Sequence, residues 1–248
     1  MGKELTYGQL NEQVTRCASA LAALGVAAGD RVAVALPNCP QHVVAVTAIL
    51  RLGATVVEHN PLYTAYELQH QFADHGAKVA IVFDKSAPTF CELRETTALE
   101  HIIAVNMVEA MPAHLRAALA LPLPPLQKQR AQLTAPAPGT TPWKQFLSTG
   151  RRPVRGAAVS QDDVAFILYT SGTSGKPKGA PLTHRNIMAV VVAGLEWLED
   201  FGKVEETILA VLPLFHIYGL TLNYALALTR AATICLLYTS DAADDLLC

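Results

Sequence analysis

The sequence has little charge and lacks the cysteine patterns that organise metal sites and disulfides. Only 16% of its 248 residues are charged and the formal net charge is −2, so no basic footprint for nucleic acid is present. The five cysteines show no C-x-x-C or other metal-ligand spacing, and their odd number argues against a disulfide framework. A reducing cytoplasm is the simplest compartment for such a chain.

Targeting signals and one nucleotide fingerprint are also missing. Gly-x-Gly-x-x-Gly does not occur, which removes the dinucleotide-binding fingerprint. Residues 1–8 lack an apolar core of the length that a signal peptide needs, so none is expected. The longest charge-free stretch, residues 207–229, is long enough to suggest a membrane span. Pro213, His216 and Gly219 interrupt it, which argues against a transmembrane helix.

A phosphate loop, residues 169–179, is the chemically richest stretch of the chain. Its glycines allow tight turns and bring backbone N–H groups close to an anion, while its hydroxyls add donors and its two lysines add positive charge. The candidate phosphate-binding residues are Thr170, Ser171, Gly172, Thr173, Ser174, Gly175, Lys176, Lys178 and Gly179.

The flanks of the loop fit this interpretation. Residues 163–169 form a short apolar run that predicts a buried strand, and Thr183 is a natural N-cap for a following helix. Walker A does not fit, because Thr170 stands in place of its first glycine and Pro177 follows Lys176. A flexible linker is the alternative, but linkers are not usually set between a buried strand and a capped helix.

Residues 169–186 resemble the signature loop of the adenylate-forming superfamily, which includes acyl-CoA synthetases, luciferases and nonribosomal adenylation domains. Residues 212–220 resemble the family segment that begins the acyl-pocket helix, so we expect a buried strand, a turn and a buried helix within residues 207–229. Ser174 stands where the family usually has Thr, and either hydroxyl can donate to phosphate. Residues 60–64 and 213–221 look most like bacterial long-chain fatty-acyl-CoA synthetases, with medium-chain or aryl-CoA ligases as the alternative.

The resemblance implies a two-step ligase that uses a fatty acid, ATP with Mg²⁺, and coenzyme A. Thr170, Ser171, Gly172, Thr173 and Lys178 would then be its working phosphate contacts. By resemblance His216 borders the adenylate and the acyl group, in a positional or electrostatic role; the alternative is a core histidine with satisfied hydrogen bonds. A non-catalytic nucleotide-binding module is the alternative from another class. Metal-ligating residues are not identified.

The chain before the loop predicts an α/β fold with a layered, largely parallel sheet and flanking helices, which the resemblance assigns to the large amino-terminal domain of the family. Capping boxes begin helices at Thr6 and Thr64. A third helix is expected over residues 37–52 and a fourth over residues 108–121. The expected strands are residues 32–36, 53–57, 78–83 and 101–105.

Three segments are expected along the chain: a first α/β subdomain over residues 1–155, the start of a second subdomain over 156–234, and a tail over 235–248. Prolines punctuate an irregular surface connection near residues 122–155, which residues 143–147 would fix to the body. The alternation of Leu and Pro there, with nearby basic residues, leaves peripheral membrane contact as an alternative. For six histidines the sequence reveals no partner, and they are interpreted as ordinary surface or core residues: His42, His59, His70, His75, His101 and His114.

Both the length and the tail of the chain lead to further expectations. No family hinge and no carboxyl-terminal catalytic lysine follow Leu220, so we expect a fragment without full activity. Residues 235–248 resemble one reading frame of a transposase sequencing adaptor and are expected to be non-native. The alternative is a divergent strand followed by an acidic turn.

Overall fold

The computed structural model describes residues 4–170, 176–198 and 206–237. Strands and helices alternate through most of this range, as the sequence predicts. The helices are α1 Tyr7–Ala23, α2 Pro40–Arg51, α3 Ala65–His75, α4 Ala87–Arg94, α5 Ala113–Leu119, α6 Pro124–Leu133, α7 Trp143–Thr149, α8 His184–Trp197 and α9 Ala227–Thr229. The strands are β1 Arg31–Ala35, β2 Thr55–Glu58, β3 Val79–Phe83, β4 His101–Val105, β5 Thr141–Pro142, β6 Val164–Thr170, β7 Lys178–Thr183, β8 Thr207–Ala210 and β9 Thr233–Leu236.

The first seven strands form one sheet in the order β5-β4-β3-β1-β2-β6-β7. All neighbours in it are parallel except β6 and β7, which are antiparallel. Successive side chains of a strand point to opposite faces. Val32 and Val34 accordingly pack into the core formed with α1 and α2, while Ala33 and Ala35 pack into a second core under α3 and α4. The predicted fold class is confirmed.

Local sequence signals set the ends of several helices. Thr6 and Thr64 form the predicted capping boxes, each accepting from a backbone N–H three residues on while Gln9 or Glu67 reaches back. Thr183 forms a third box with Asn186 at the start of α8. Gly76 ends α3 in the left-handed region, with a φ of 61°, which favours glycine.

The helix predicted to begin at Thr183 is confirmed, but the sequence did not predict the strand that precedes it. Strand β7 comes first and pairs with β6 as an antiparallel neighbour, and α8 begins only after Thr183. Gly179 and Pro181 make β7 a weak strand by sequence. It forms because β6 offers it a ladder of hydrogen bonds, and Pro181 is tolerated because β7 is the edge strand of the sheet.

The connection between β4 and α7 is more regular than the sequence indicates. The helix expected over residues 108–121 is split into a 3₁₀ turn, Met107–Ala110, and α5. Pro112 separates the two because proline lacks a backbone N–H. The expected irregular stretch contains α6, which begins with two prolines, where a helix does not need their N–H groups. Trp143 and Phe146 are buried in α7, which confirms that this helix fixes the connection to the body.

Strands β8 and β9 form a separate parallel pair, and a π-helix, Gly219–Leu226, lies between them along the chain. The turn and the buried helix expected within residues 207–229 are therefore present, but the expected buried strand is not buried on both faces: Thr207 and Leu209 of β8 are exposed on the side that the described residues leave uncovered. Within the described part of the chain, no helix has the length and apolarity needed to cross a membrane. Because β6 pairs with β2, the first sheet continues past the boundary expected at residue 155.

Candidate functional site

Three chain segments with polar residues meet at one edge of the main sheet. Strands β1, β2 and β6 are neighbours and parallel, so their carboxyl ends lie side by side. Asn38 follows β1, His59 follows β2, and Thr170 ends β6. In open parallel sheets, ligands bind in crevices outside the carboxyl ends of the strands. We therefore take this edge as the candidate site.

The base of the phosphate loop lies at this edge. Thr170 pairs with Lys178, and Tyr169 pairs with Gly179, as the last rungs of the β6–β7 ladder. Thr170, Lys176 and Lys178 are exposed there. Among the described residues neither lysine forms an ion pair with a carboxylate, so both are free to meet an anionic ligand. The remaining predicted contacts, Ser171, Gly172, Thr173, Ser174 and Gly175, lie outside the described residues.

Tyr169 attaches the loop base to α3. Its hydroxyl donates to the Asp74 carboxylate at 2.6 Å, and its ring stacks on His59 with centroids 5.9 Å apart. Burial and the neighbouring Asp74 carboxylate both raise the pKa of Tyr169 well above its ordinary value. The hydroxyl therefore stays protonated and remains a donor. Sequence reasoning did not identify this contact, which joins residues 95 positions apart.

Three of the six histidines for which the sequence suggests no partner are core residues, and each has a hydrogen-bond partner that the sequence did not reveal. His42 Nε2 lies 3.0 Å from Glu58 Oε1, and both side chains are buried. His59 Nδ1 lies 2.8 Å from Gln71 Oε1, and His75 Nδ1 accepts from the N–H of Ala77 at 3.0 Å. The other three, His70, His101 and His114, are exposed.

Burial keeps two of these rings neutral. It lowers the pKa of His59 to about 4, partly offset by the hydrogen bond to Gln71. The pKa of His75 is lowered by burial first, and further by His59 and by Arg31. One sequence signal could have revealed His75: it follows Leu68 and Phe72 at the spacing of a single helix face, which is the buried face of α3.

Residues 212–220, the second predicted motif, are held at the same edge by Asn38. The Asn38 Nδ2 donates to the carbonyls of Ala210 and Leu212 at 2.9 and 3.0 Å, and its Oδ1 accepts from the N–H of Leu214 at 2.8 Å. His216 is exposed, and its Nδ1 accepts from the N–H of Tyr218 at 3.4 Å. The fold thus brings both sequence motifs to one edge of one sheet.

The sequence model of a protein family described as "AMP-binding enzyme" matches residues 1–248. Curated relatives include the long-chain-fatty-acid–CoA ligase of Bacillus subtilis strain 168, 33% identical over 92% of this chain and 41% of that protein. The Salmonella typhimurium protein of the same name is 35% identical over 90% of this chain and 40% of its own length. The chain thus spans about two fifths of the length of these relatives.

Solved structures show the same fold. An anthranilate CoA ligase in complex with anthranoyl-AMP aligns with a TM-score of 0.75 at 21% identity, covering 96% of this chain and 41% of that one. A long-chain-fatty-acid-CoA ligase from Archaeoglobus fulgidus aligns with a TM-score of 0.72 at 24% identity, covering 95% and 41%.

Proposed function

Because the chain belongs to the AMP-binding enzyme family, we propose that it is the amino-terminal part of an ATP-dependent fatty-acid–CoA ligase. One observation carries the proposal: the phosphate-loop hairpin and residues 212–220 lie at the same carboxyl edge of the main sheet. A nucleotide and a carboxylate bound to these two segments would be neighbours. The names of the relatives favour a long-chain fatty acid as the carboxylate.

The proposed reaction has two steps. The fatty-acid carboxylate attacks the α-phosphorus of ATP, forming an acyl-adenylate and releasing pyrophosphate. The thiol of coenzyme A then attacks the acyl carbon, and AMP leaves as the thioester forms. The protein's contribution to the first step is to hold the reactants together and to neutralise the leaving phosphates.

Each part of the site has a proposed role in that first step. Thr170, Lys178 and residues 171–176 would bind the β- and γ-phosphates through hydroxyls, backbone N–H groups and lysine charge. Tyr169 would hold the loop base against α3. His216 would lie beside the acyl group and the adenylate and act through its position and polarity, with no covalent role.

Magnesium belongs to the proposal as the partner of ATP. No group of three or more His, Cys, Asp or Glu side chains within residues 4–170, 176–198 and 206–237 could hold a metal ion. The described residues therefore offer no set of three or more side-chain ligands for Mg²⁺. Such an ion commonly keeps several waters and binds through substrate phosphates and one or two carboxylates.

The cellular setting is a further part of the proposal. We propose that the protein is cytoplasmic and acts in lipid metabolism. We also propose that it contacts membranes peripherally, as a source of fatty acid. Leu115 on α5, together with Leu121 and Leu123 between α5 and α6, is exposed close in sequence to Arg116. Apolar side chains beside positive charge favour contact with an anionic membrane surface.

The test is ligase activity of the full-length protein supplied with ATP, Mg²⁺, coenzyme A and a panel of carboxylates. We expect long-chain acyl-CoA, and hydroxamate when hydroxylamine replaces coenzyme A. A preference for aryl or medium-chain acids would select the alternative ligase class. ATP binding without hydroxamate from any carboxylate would select the non-catalytic nucleotide-binding module. The 248-residue chain alone should make no acyl-CoA.

Replacing Lys178 tests the loop directly. Lys178→Ala should slow adenylation by about 10- to 100-fold and leave thioester formation from preformed acyl-adenylate nearly unchanged, because only the first step has a triphosphate to neutralise. Lys144→Ala is the matched control, since Lys144 is also exposed but pairs with Glu109 at 3.4 Å, away from the loop. Equal losses in both half-reactions would mean that Lys178 is structural.

A further inference from the structure

The side chain of Asn38 links the main sheet to residues 210–214, and we propose that it is a positioning residue for the carboxylate substrate. Asn38 would hold residues 212–220 at a fixed distance from the phosphate-loop sheet, so that the acyl group meets the nucleotide correctly. This inference rests on the proposed ligase function. It assigns a role to a residue that does not itself touch the reacting atoms.

Asn38 satisfies three main-chain groups at once. Its amide donates to the carbonyls of Ala210 and Leu212 and accepts from the N–H of Leu214, at distances of 2.8 to 3.0 Å. The side chain is only 8% exposed, so water does not readily replace these bonds. An amide is suited to the position because it carries two donor hydrogens and an acceptor on one short side chain.

The contacts join two separate sheets. Asn38 lies just beyond β1, which is in the main sheet, whereas Ala210 is the last residue of β8 in the second sheet. The phosphate-loop hairpin belongs to the main sheet, and His216 follows Leu214 by two residues. The hydrogen bonds of Asn38 therefore set the position of residues 212–220, which include His216, relative to β6, the strand that carries the loop.

The segment itself is compact, so a shift at Asn38 would move it as a unit. A Cβ added to Gly219 would lie 2.1 Å from the carbonyl oxygen of Pro213, which shows how closely the chain folds back. The His216 N–H donates to the same carbonyl at 3.1 Å. A second link to the main body, between the hydroxyls of Thr47 and Tyr224 at 3.0 Å, holds the π-helix. The π-helix reaches residues 212–216 through a longer bond from Asn223 to the Leu212 carbonyl at 3.4 Å and through apolar packing of Leu214.

Displacing the segment should affect the carboxylate more than ATP. Misplacement of a reacting group by about 1 Å can cost about 100-fold in rate. Asn38 contacts none of the described loop residues, so the nucleotide phosphates would keep their partners. A residue that served stability alone would alter both substrates together or neither.

The experiment compares Asn38→Asp and Asn38→Ala with wild type in the full-length protein. Asp keeps the size and the acceptor for Leu214 but places a carboxylate oxygen against two carbonyl oxygens. We expect kcat/KM for fatty acid to fall by about 10- to 100-fold, with KM for ATP changed by less than about threefold. Asn38→Gln, which keeps the amide on a longer stem, should recover part of the loss.

Asn106 provides the matched control. It follows β4 at the same edge of the sheet, but among the described residues its Oδ1 accepts only from the N–H of Val108, two residues on, at 2.9 Å. Asn106→Asp and Asn106→Ala should leave both kinetic constants near wild type. Unchanged fatty-acid kinetics in the folded Asn38 variants, or equal losses for fatty acid and ATP, would overturn the proposal.

Hydrogen exchange separates this inference from the proposed function. The Leu214 amide should exchange faster in Asn38→Ala than in Asn106→Ala whether or not the protein is a ligase. If wild type activates no carboxylate, the proposed function fails. If activity is present but Leu214 stays protected in Asn38→Ala, the positioning role is wrong and the ligase assignment stands.

Discussion

Two regions of the molecule bury their apolar residues to different extents. The amino-terminal sheet, made of β1 to β4 with α1 to α4, has helices on both faces, and its central strands are buried except for Arg31 at the start of β1. The carboxyl-terminal pair, made of β8 and β9 with α8 and the π-helix, reaches the same core through Leu214, Leu220 and Tyr224. Its outer side remains apolar and open: Leu209 is 50%, Val211 52% and Trp197 89% exposed.

This difference indicates which region contributes most to the stability of the folded protein. A two-stranded sheet is marginal without further strands or a helix to cover it, whereas the amino-terminal sheet completes its own layers. We therefore expect the same type of substitution to have a large effect in the first region and a small one on the outer side of the second.

Truncating a buried aromatic side chain should give the largest contrast. Phe72 is 1% exposed and packs against Phe90 with ring centroids 5.7 Å apart. Phe72→Ala should lower the free energy of unfolding by about 3 to 5 kcal/mol. Trp197→Ala removes a larger but exposed ring and should change it by less than about 0.5 kcal/mol. Urea denaturation of both variants would measure this, and comparable losses would contradict the contrast.

Acid should weaken the amino-terminal sheet next. The pKa of His59 is about 4 in the folded protein against 6.5 for the free group, so folding favours its neutral form. The corresponding stability is present above pH 6.5 and is lost as the pH falls from about 6.5 to 4, by about 3 kcal/mol. His75 acts in the same direction, since its pKa is also lowered.

Denaturation at pH 7, 5 and 4 would measure this loss. His59→Phe should flatten the slope between pH 6.5 and 4. His101→Phe, at an exposed position, is the control and should leave the slope unchanged. A wild-type stability that is constant down to pH 4 would contradict the assignment of neutral, buried histidines.

Removing one hydroxyl should loosen the hairpin on which the loop is built. Tyr169→Phe deletes the hydrogen bond to Asp74 and should lower the free energy of unfolding by about 1 to 2 kcal/mol. The loss should be no larger because Asp74 is exposed and water can take the place of the tyrosine hydroxyl. Faster amide exchange should be confined to β6 and β7. Tyr66→Phe, at an 88% exposed position, should change neither quantity.

The outer side of β8 should respond least. Leu209→Ser and Val211→Ser should each change the free energy of unfolding by less than about 0.5 kcal/mol, because these side chains are already half in water. Leu214→Ala, on the buried side of the same segment, should lower the free energy of unfolding by about 2 to 5 kcal/mol. Equal effects on the two sides would remove the distinction between buried and open surfaces.

Much of the fold could be predicted because its signals are local. The capping boxes at Thr6 and Thr64 involve residues three apart, and β3 and β4 are apolar runs apart from His101 at the start of β4. The missed elements lack such signals. Strand β7 has the composition of a loop, and α6 is hidden among prolines that are compatible with a helix only in its first turn.

The sequence by itself determined the α/β layering, the place of the phosphate loop and its similarity to a family, because hydrophobic periodicity and short motifs depend on neighbouring residues. Only the tertiary structure decided that β6 pairs with β2, that Tyr169 reaches Asp74, and that Asn38 holds residues 210–214. These contacts join positions about 100 or more residues apart in the chain. Their strength comes from the burial and hydrogen-bond satisfaction that the packed sheet provides, which no local pattern encodes.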